Sequence, residues 1–138
     1  MKSDVSLDFQ FTSSIEQVWN ALTDSDTLAK WIWNNNFKPI VGYKFQFRTE
    51  PSDWWDGIVD GEVLEVDGPN KLSYTWVSAG ETTTVTWTLK KGSDGIIQLH
   101  FDQTGFSEAT KAREGAIEGA KYAWMNMGNQ LEKVLAEL

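Results

Sequence analysis

The stretch that decides the fold is SEATKAREGAIEGAKYAWMNMGNQLEKVLAEL, residues 107–138. It contains no proline. Ala116, Ala120, Trp124, Met127, Leu131, Val134 and Leu138 recur at helical spacing, so the segment is predicted as one long helix with Ser107 as its N-cap. Gly115, Gly119 and Gly128 interrupt it, each at about 1 kcal/mol relative to alanine. They have two readings. Either the helix kinks or approaches another backbone closely, or its face is thinned to leave room for a ligand. A helix with one apolar stripe must lay that stripe on a partner, and the preceding residues supply a sheet.

Between residues 43 and 103 the hydrophobic period is two. Tyr43, Phe45 and Phe47 alternate with Lys44, Gln46 and Arg48. In IVDGEVLEV (58–66) the alternation slips at Val63 and Leu64, which predicts a bulge. DGPN (67–70) is a turn, after which Leu72, Tyr74 and Trp76 share a face. Val85, Trp87 and Leu89 then oppose Thr82, Thr84, Thr86 and Thr88. In IIQLHFDQ (96–103), Ile97, Leu99 and Phe101 point one way, and His100, with Gln98 and Asp102, the other. Short turns between these runs give an antiparallel meander.

At the start of the chain, Val5, Leu7, Phe9 and Phe11 alternate as a half-buried strand. Ser13 and Glu16 have capping-box spacing ahead of Ile15, Val18, Trp19 and Leu22, and Asp24 or Ser25 caps a second short helix carrying Leu28 and Trp31. The expected architecture is therefore one α+β domain over residues 1–138. An antiparallel sheet of about six strands wraps around the long C-terminal helix, and two short helices follow the first strand.

Bulk properties narrow the function. With 138 residues the chain can bury a core without staples. A net charge of −8 argues against nucleic acid and against an anionic membrane surface. No cysteine is present, so neither disulfides nor thiolate chemistry arise. The opening MKSDVSLDFQF has no apolar core of a signal sequence, which makes the cytoplasm the expected location, without membrane insertion. Eight Trp beside seven Phe and three Tyr form the unusual feature, since indoles suit walls that are half apolar and half wet.

Six stretches, in this order, resemble the helix-grip superfamily, also called START-like or SRPBCC. They are VWNALTDSDTLAKWI (18–32), GYKFQF (42–47), GEVLEVDGPNKLSYTWV (61–77), TVTWTLKK (84–91), LHFDQTGF (99–106) and the pair Trp124 and Leu131. More closely they resemble the family named for the C-terminal domain of the activator of heat-shock-protein-90 ATPase. The resemblance implies a sheet gripping a long helix, commonly around a cavity, and its members include ligand carriers, cyclases, oxygenase domains and co-chaperones. Two departures stand out. TSSIEQ (12–17) replaces a Pro-containing stretch, and Gln103 stands where many members carry a histidine, which removes a potential acid–base group.

No catalytic set emerges from the residues themselves. His100 is predicted on the outer face, zinc would need several His or Cys, and there is no nucleophile motif or phosphate loop. No metal or cofactor is expected. Asp53, Asp56, Asp60 and Glu62 would gain acid–base character if one pointed into an apolar cavity. The stronger candidate set is aromatic. Phe45, Phe47, Tyr74, Trp76, Trp87 and Phe101 would line the sheet, facing Trp124 and Met127 of the helix. Trp33, Phe37 and Trp55 (or its neighbour Trp54) would gather at the open end. Apolar walls with a Tyr74 hydroxyl, a Gln103 amide and indole N–H groups describe a small-molecule pocket, although the same rings could simply fill a core. Trp31 is expected to anchor the helical corner, and Trp33 with Asn34 to Asn36 to form a mobile lip. The favoured reading is a non-catalytic module that holds a small apolar or lipid-like ligand between sheet and helix. The alternatives are a co-chaperone-like domain acting on a heat-shock ATPase, and a cyclase- or hydrolase-type enzyme using a cavity carboxylate or Tyr74.

Overall fold

Alternation in the first strand places Val5, Leu7 and Phe11 inward and forms β1 (Val5–Phe11). The computed structural model describes residues 4–53, 55–78 and 80–137, so Trp54 and Leu138 lie outside the described residues. After β1 come α1 (Ile15–Thr23), α2 (Ser25–Trp31), β2 (Asn34–Asn35), β3 (Lys44–Arg48), β4 (Ile58–Asp67), β5 (Lys71–Ser78), β6 (Glu81–Lys91), β7 (Ile97–Thr104), α3 (Glu108–Ala112) and α4 (Ala116–Ala136). The strands form one antiparallel sheet in the order β1-β7-β6-β5-β4-β3-β2. Among the described residues the sheet has seven strands rather than about six. The addition is the two-residue β2, in which Asn34 and Asn35 pair with Arg48 and Phe47 of β3.

The predicted register slip in β4 is present between Val63 and Glu65. It keeps Val59 and Val63 inward while leaving Leu64 in solvent. On β6, Val85, Trp87 and Leu89 face the core and pair with Tyr74, Leu72 and strand β7, so large rings of adjacent strands meet on one face. Full burial of one such apolar side chain is worth roughly 1.5–3 kcal/mol.

Helix starts are set by side-chain caps. The capping box lies one residue later than the Ser13/Glu16 spacing suggested. Ser14 is extended, its Oγ accepts from the Gln17 N–H, and Gln17 Oε1 accepts from the Ser14 N–H. Ser13/Glu16 and Ser14/Gln17 both fit the pattern, and the extended backbone at Ser14 decides between them. Asp24 caps α2, accepting from both the N–H and the hydroxyl of Thr27.

The C-terminal segment is two helices, not one. Ser107 caps α3 as expected, but α3 ends at Ala112, and Gly115 takes φ +79° before α4 begins. That left-handed conformation suits glycine and reorients the chain. Gly128 has a different reason. A Cβ there would lie 2.1 Å from Phe9 Cε1, so α4 rides directly on a ring of β1. A Cβ on Gly119 would meet open space. Trp124, Leu131, Val134 and Leu135 fill the grip between α4 and the sheet. No helix of the described residues is long and apolar enough to cross a membrane.

Candidate functional site

The packed grip begins at Trp124. Beside the first half of α4, where Ala116, Ala120 and Ala123 present short side chains, a cleft of about 320 Å³ opens between helix and sheet. The alanines, rather than the glycines, thin this face. Trp76 and Thr83 form the sheet wall with Gln103, and Trp124 and Met127 complete the helix wall. Trp33, from the segment between α2 and β2, and Phe106, from the turn after β7, close the sides. A volume of this size accommodates a small organic molecule.

Trp124 is the pivot. Its ring lies 4.4 Å from Phe101, 4.8 Å from Trp76 and 5.8 Å from Trp87, measured between centroids. Its indole Nε1–H donates to Gln103 Oε1 at 2.9 Å, and Gln103 Nε2 donates to Thr83 Oγ1 at 2.9 Å. The Thr83 hydroxyl in turn donates to the Trp76 carbonyl at 3.2 Å. Gln103 is 2% and Thr83 3% exposed, so this polar chain forms the buried floor of a cleft walled mainly by aromatic, alanine and methionine side chains.

The structure thus brings Trp33, Trp76, Gln103, Trp124 and Met127 together around the cleft. Trp55 packs on Trp33 at 5.8 Å, with its buried Nε1 lacking a hydrogen-bond partner among the described residues. Phe37, Phe45, Phe47 and Tyr74 pack on one another at 4.9 to 6.4 Å, and Trp87 packs on Phe101 at 4.7 Å. These six rings fill volume and do not line the cleft. The Tyr74 hydroxyl accepts from Trp87 Nε1–H at 2.9 Å. Burial pushes its pKa well above the ordinary tyrosine value, and the Trp87 bond offsets only part of that, so it is not poised for proton transfer.

Two residues of the expected lip, Asn35 and Asn36, are hydrogen-bonded to neighbouring backbone. Asn35 Nδ2 donates to the carbonyls of Ser25 and Trp33, its Oδ1 accepts from the Phe37 N–H, and Asn36 Oδ1 accepts from the Gln46 N–H. Short polar side chains that bond nearby backbone give this corner partners that a longer strand would otherwise supply.

Sequence reasoning missed the polar rim of Glu81, Thr110 and Arg113. Glu81 accepts from the Ser107 N–H and from the Thr110 hydroxyl, tying α3 to the start of β6. Burial pushes its carboxyl up, but the bonds from Ser107 and Thr110 and the Arg113 charge outweigh that and hold it below the usual range. It is an ionised clamp, not a general acid. The suspected carboxylates stand elsewhere. Asp53, Asp56 and Asp60 are exposed, Glu62 is half-buried, and none lines the cleft. A larger depression of about 500 Å³ lies on the opposite face of the sheet, among Lys44, Gln46, Asp60 and Glu62. Polar and charged strand side chains bonded to one another, such as Gln46 to Asp60, make it a solvated surface, and the cleft under α4 is the better site.

His100 lies on that outer face. Its Nδ1 is 2.7 Å from Asp8 and its Nε2 3.0 Å from Asp102. The bond to Asp8, aided by both carboxylate charges, outweighs desolvation and raises its pKa above the usual histidine value. A raised pKa adds stability that is full below the unfolded value of roughly 6.5 and is lost as pH rises through the folded one. With 39% of the side chain exposed, solvent screening limits the effect to a fraction of a kcal/mol. His100→Gln is therefore expected to lower the urea midpoint more at pH 5.5 than at pH 8.5. An equal change at both pH values would contradict this linkage.

Residues 12–136 match the sequence model of a family described as Activator of Hsp90 ATPase homolog 1-like protein. Among solved structures, protein MLL2253 from Mesorhizobium loti is 33% identical with a TM-score of 0.83, covering 96% of each chain. An HSP90 activator from Plasmodium falciparum is 22% identical with a TM-score of 0.75, covering 96% of each chain. The Aha1 dimer from Colwellia psychrerythraea is 18% identical with a TM-score of 0.79, covering 98% of this chain and 96% of the other. No curated protein matches the sequence.

Proposed function

The chain belongs to the family of Activator of Hsp90 ATPase homolog 1-like proteins, and from that premise we propose that it is a non-catalytic cytoplasmic binding module. The cleft beside α4 holds a small apolar or lipid-like molecule. One observation carries this reading: an aromatic cleft ends on a buried, hydrogen-bonded floor, and the carboxylate at its rim is tied to backbone and held ionised. Such a site can bind and orient an apolar molecule, but it presents no group ready to exchange a proton with one.

Ala120→Phe tests the reading, because the added ring fills the cleft without removing a core contact. Naphthalene-sized probes are expected to quench the tryptophan emission of the wild type saturably and to raise its melting temperature. The variant should keep its own melting temperature and lose both responses. Equal responses from the two proteins, or no response from the wild type, would remove the proposal. The family description favours a second reading, a co-chaperone-like domain. Acceleration of a heat-shock ATPase that survives Ala120→Phe would move the function to that reading.

A further inference from the structure

Gln103 has one donor left unspent. An indole N–H can only donate, so Trp124 fixes the carbonyl end of the Gln103 carboxamide toward itself, and the NH2 end must face Thr83. That nitrogen carries two hydrogens. One goes to Thr83 Oγ1, and the second has no acceptor among the described residues. Gln103 is 2% exposed and is reached only through the cleft, so bulk water is a poor partner for it. Thr83 is also committed, since its hydroxyl hydrogen goes to the Trp76 carbonyl. The floor therefore presents a single, oriented N–H to whatever enters.

We propose that the occupant is an apolar, neutral molecule carrying a hydrogen-bond acceptor, such as a carbonyl, at the end that reaches Gln103 Nε2. The inference rests on the binding reading above and specifies its ligand class. An occupant without an acceptor would seal off an unpaired N–H, and sites built to hydrogen-bond a group reject analogues that lack it. Neutrality follows from the walls. The alanine, tryptophan, phenylalanine and methionine side chains that make up most of the lining cannot solvate an anion, and the ionised Glu81 at the rim repels one. Arg113 stands at the same rim, where its charge and that of Glu81 offset each other.

The test compares 2-acetylnaphthalene with 2-isopropenylnaphthalene, which has the same shape without the acceptor, and with 2-naphthoate. Binding is read by quenching of tryptophan emission. In the wild type the acetyl probe should bind about tenfold more tightly than the isopropenyl one, the equivalent of one hydrogen bond at about 1.4 kcal/mol. Its carbonyl stretch should move to lower frequency on binding. Gln103→Leu should erase the preference by weakening the acetyl probe alone. The wild-type comparison stands even if that variant does not fold. Equal binding of the two neutral probes by the wild type overturns the acceptor assignment and leaves the cleft reading intact. Binding of neither overturns both. A preference that survives Gln103→Leu overturns the role of Gln103, and tighter binding of the naphthoate overturns neutrality.

Discussion

Trp124→Ala is expected to lower the free energy of unfolding by about 3–5 kcal/mol, the usual range for truncating a buried large aromatic. Two losses combine. The ring is 5% exposed and touches Trp76, Trp87 and Phe101, so removing it opens a void that three rigid neighbours cannot close. Its N–H is also the partner of Gln103 Oε1, which would be left buried and unpaired. Trp124→Phe separates the two. It retains most of the packing and strands only the Gln103 oxygen, so a loss of about 1–3 kcal/mol is expected. Denaturant unfolding of the three proteins measures both steps. A loss below about 1.5 kcal/mol for the alanine variant would show that Trp124 is not the pivot between helix and sheet.

Much of the fold was legible in the sequence because its signals are local. Period-two runs such as Ile97, Leu99 and Phe101 give inward rows directly, and the slip at Val63 marked the bulge. The misses have physical causes. β2 is two residues long and polar, too short for any period to show, and it exists because Asn35 bonds to Ser25 and Trp33. Gly115 was read as a possible kink, but not as the end of one helix and the start of another, because Ala109, Ala112 and Ala116 keep helical spacing across it. A backbone turn to positive φ changes direction without disturbing the pattern on either side.

The site was legible only in part. Periodicity reports which residues face inward, but not whether the space they face is filled. That is why Phe37, Phe45, Phe47, Tyr74, Trp87 and Phe101 could not be separated in advance from Trp33, Trp76 and Trp124. The residues that distinguish them are small. Ala116, Ala120 and Ala123 leave the space, and no composition signal marks an alanine as facing a cleft rather than a wall. Thr83 was within reach, since it shares the parity of Val85, Trp87 and Leu89 and is therefore an inward polar residue needing a partner. Glu81 and Arg113 depend on contacts between segments distant in the chain, which no local pattern encodes.

Trp31 and Trp33 sit two residues apart, and their alanine variants are expected to separate stability from binding. Trp31 is 3% exposed and meets Trp87 edge-on at 5.6 Å. Its Nε1–H donates to the Ala21 carbonyl at 2.8 Å, one of the carbonyls in the last turn of α1 that cannot all be bonded within the helix. One side chain therefore closes the end of α1, fixes α2 beside it and seats both on the sheet. Trp31→Ala should cost about 3–5 kcal/mol. Trp33 lies past the C-cap Ile32, half-buried, with one face on Trp55 and Trp76 and the other on the cleft. A half-buried ring contributes less by burial, so Trp33→Ala should cost about 1 kcal/mol while weakening the naphthalene probes severalfold. Denaturation and probe titration of both variants test the division. A large stability loss at Trp33 with unchanged probe affinity would reverse it and remove Trp33 from the wall of the site.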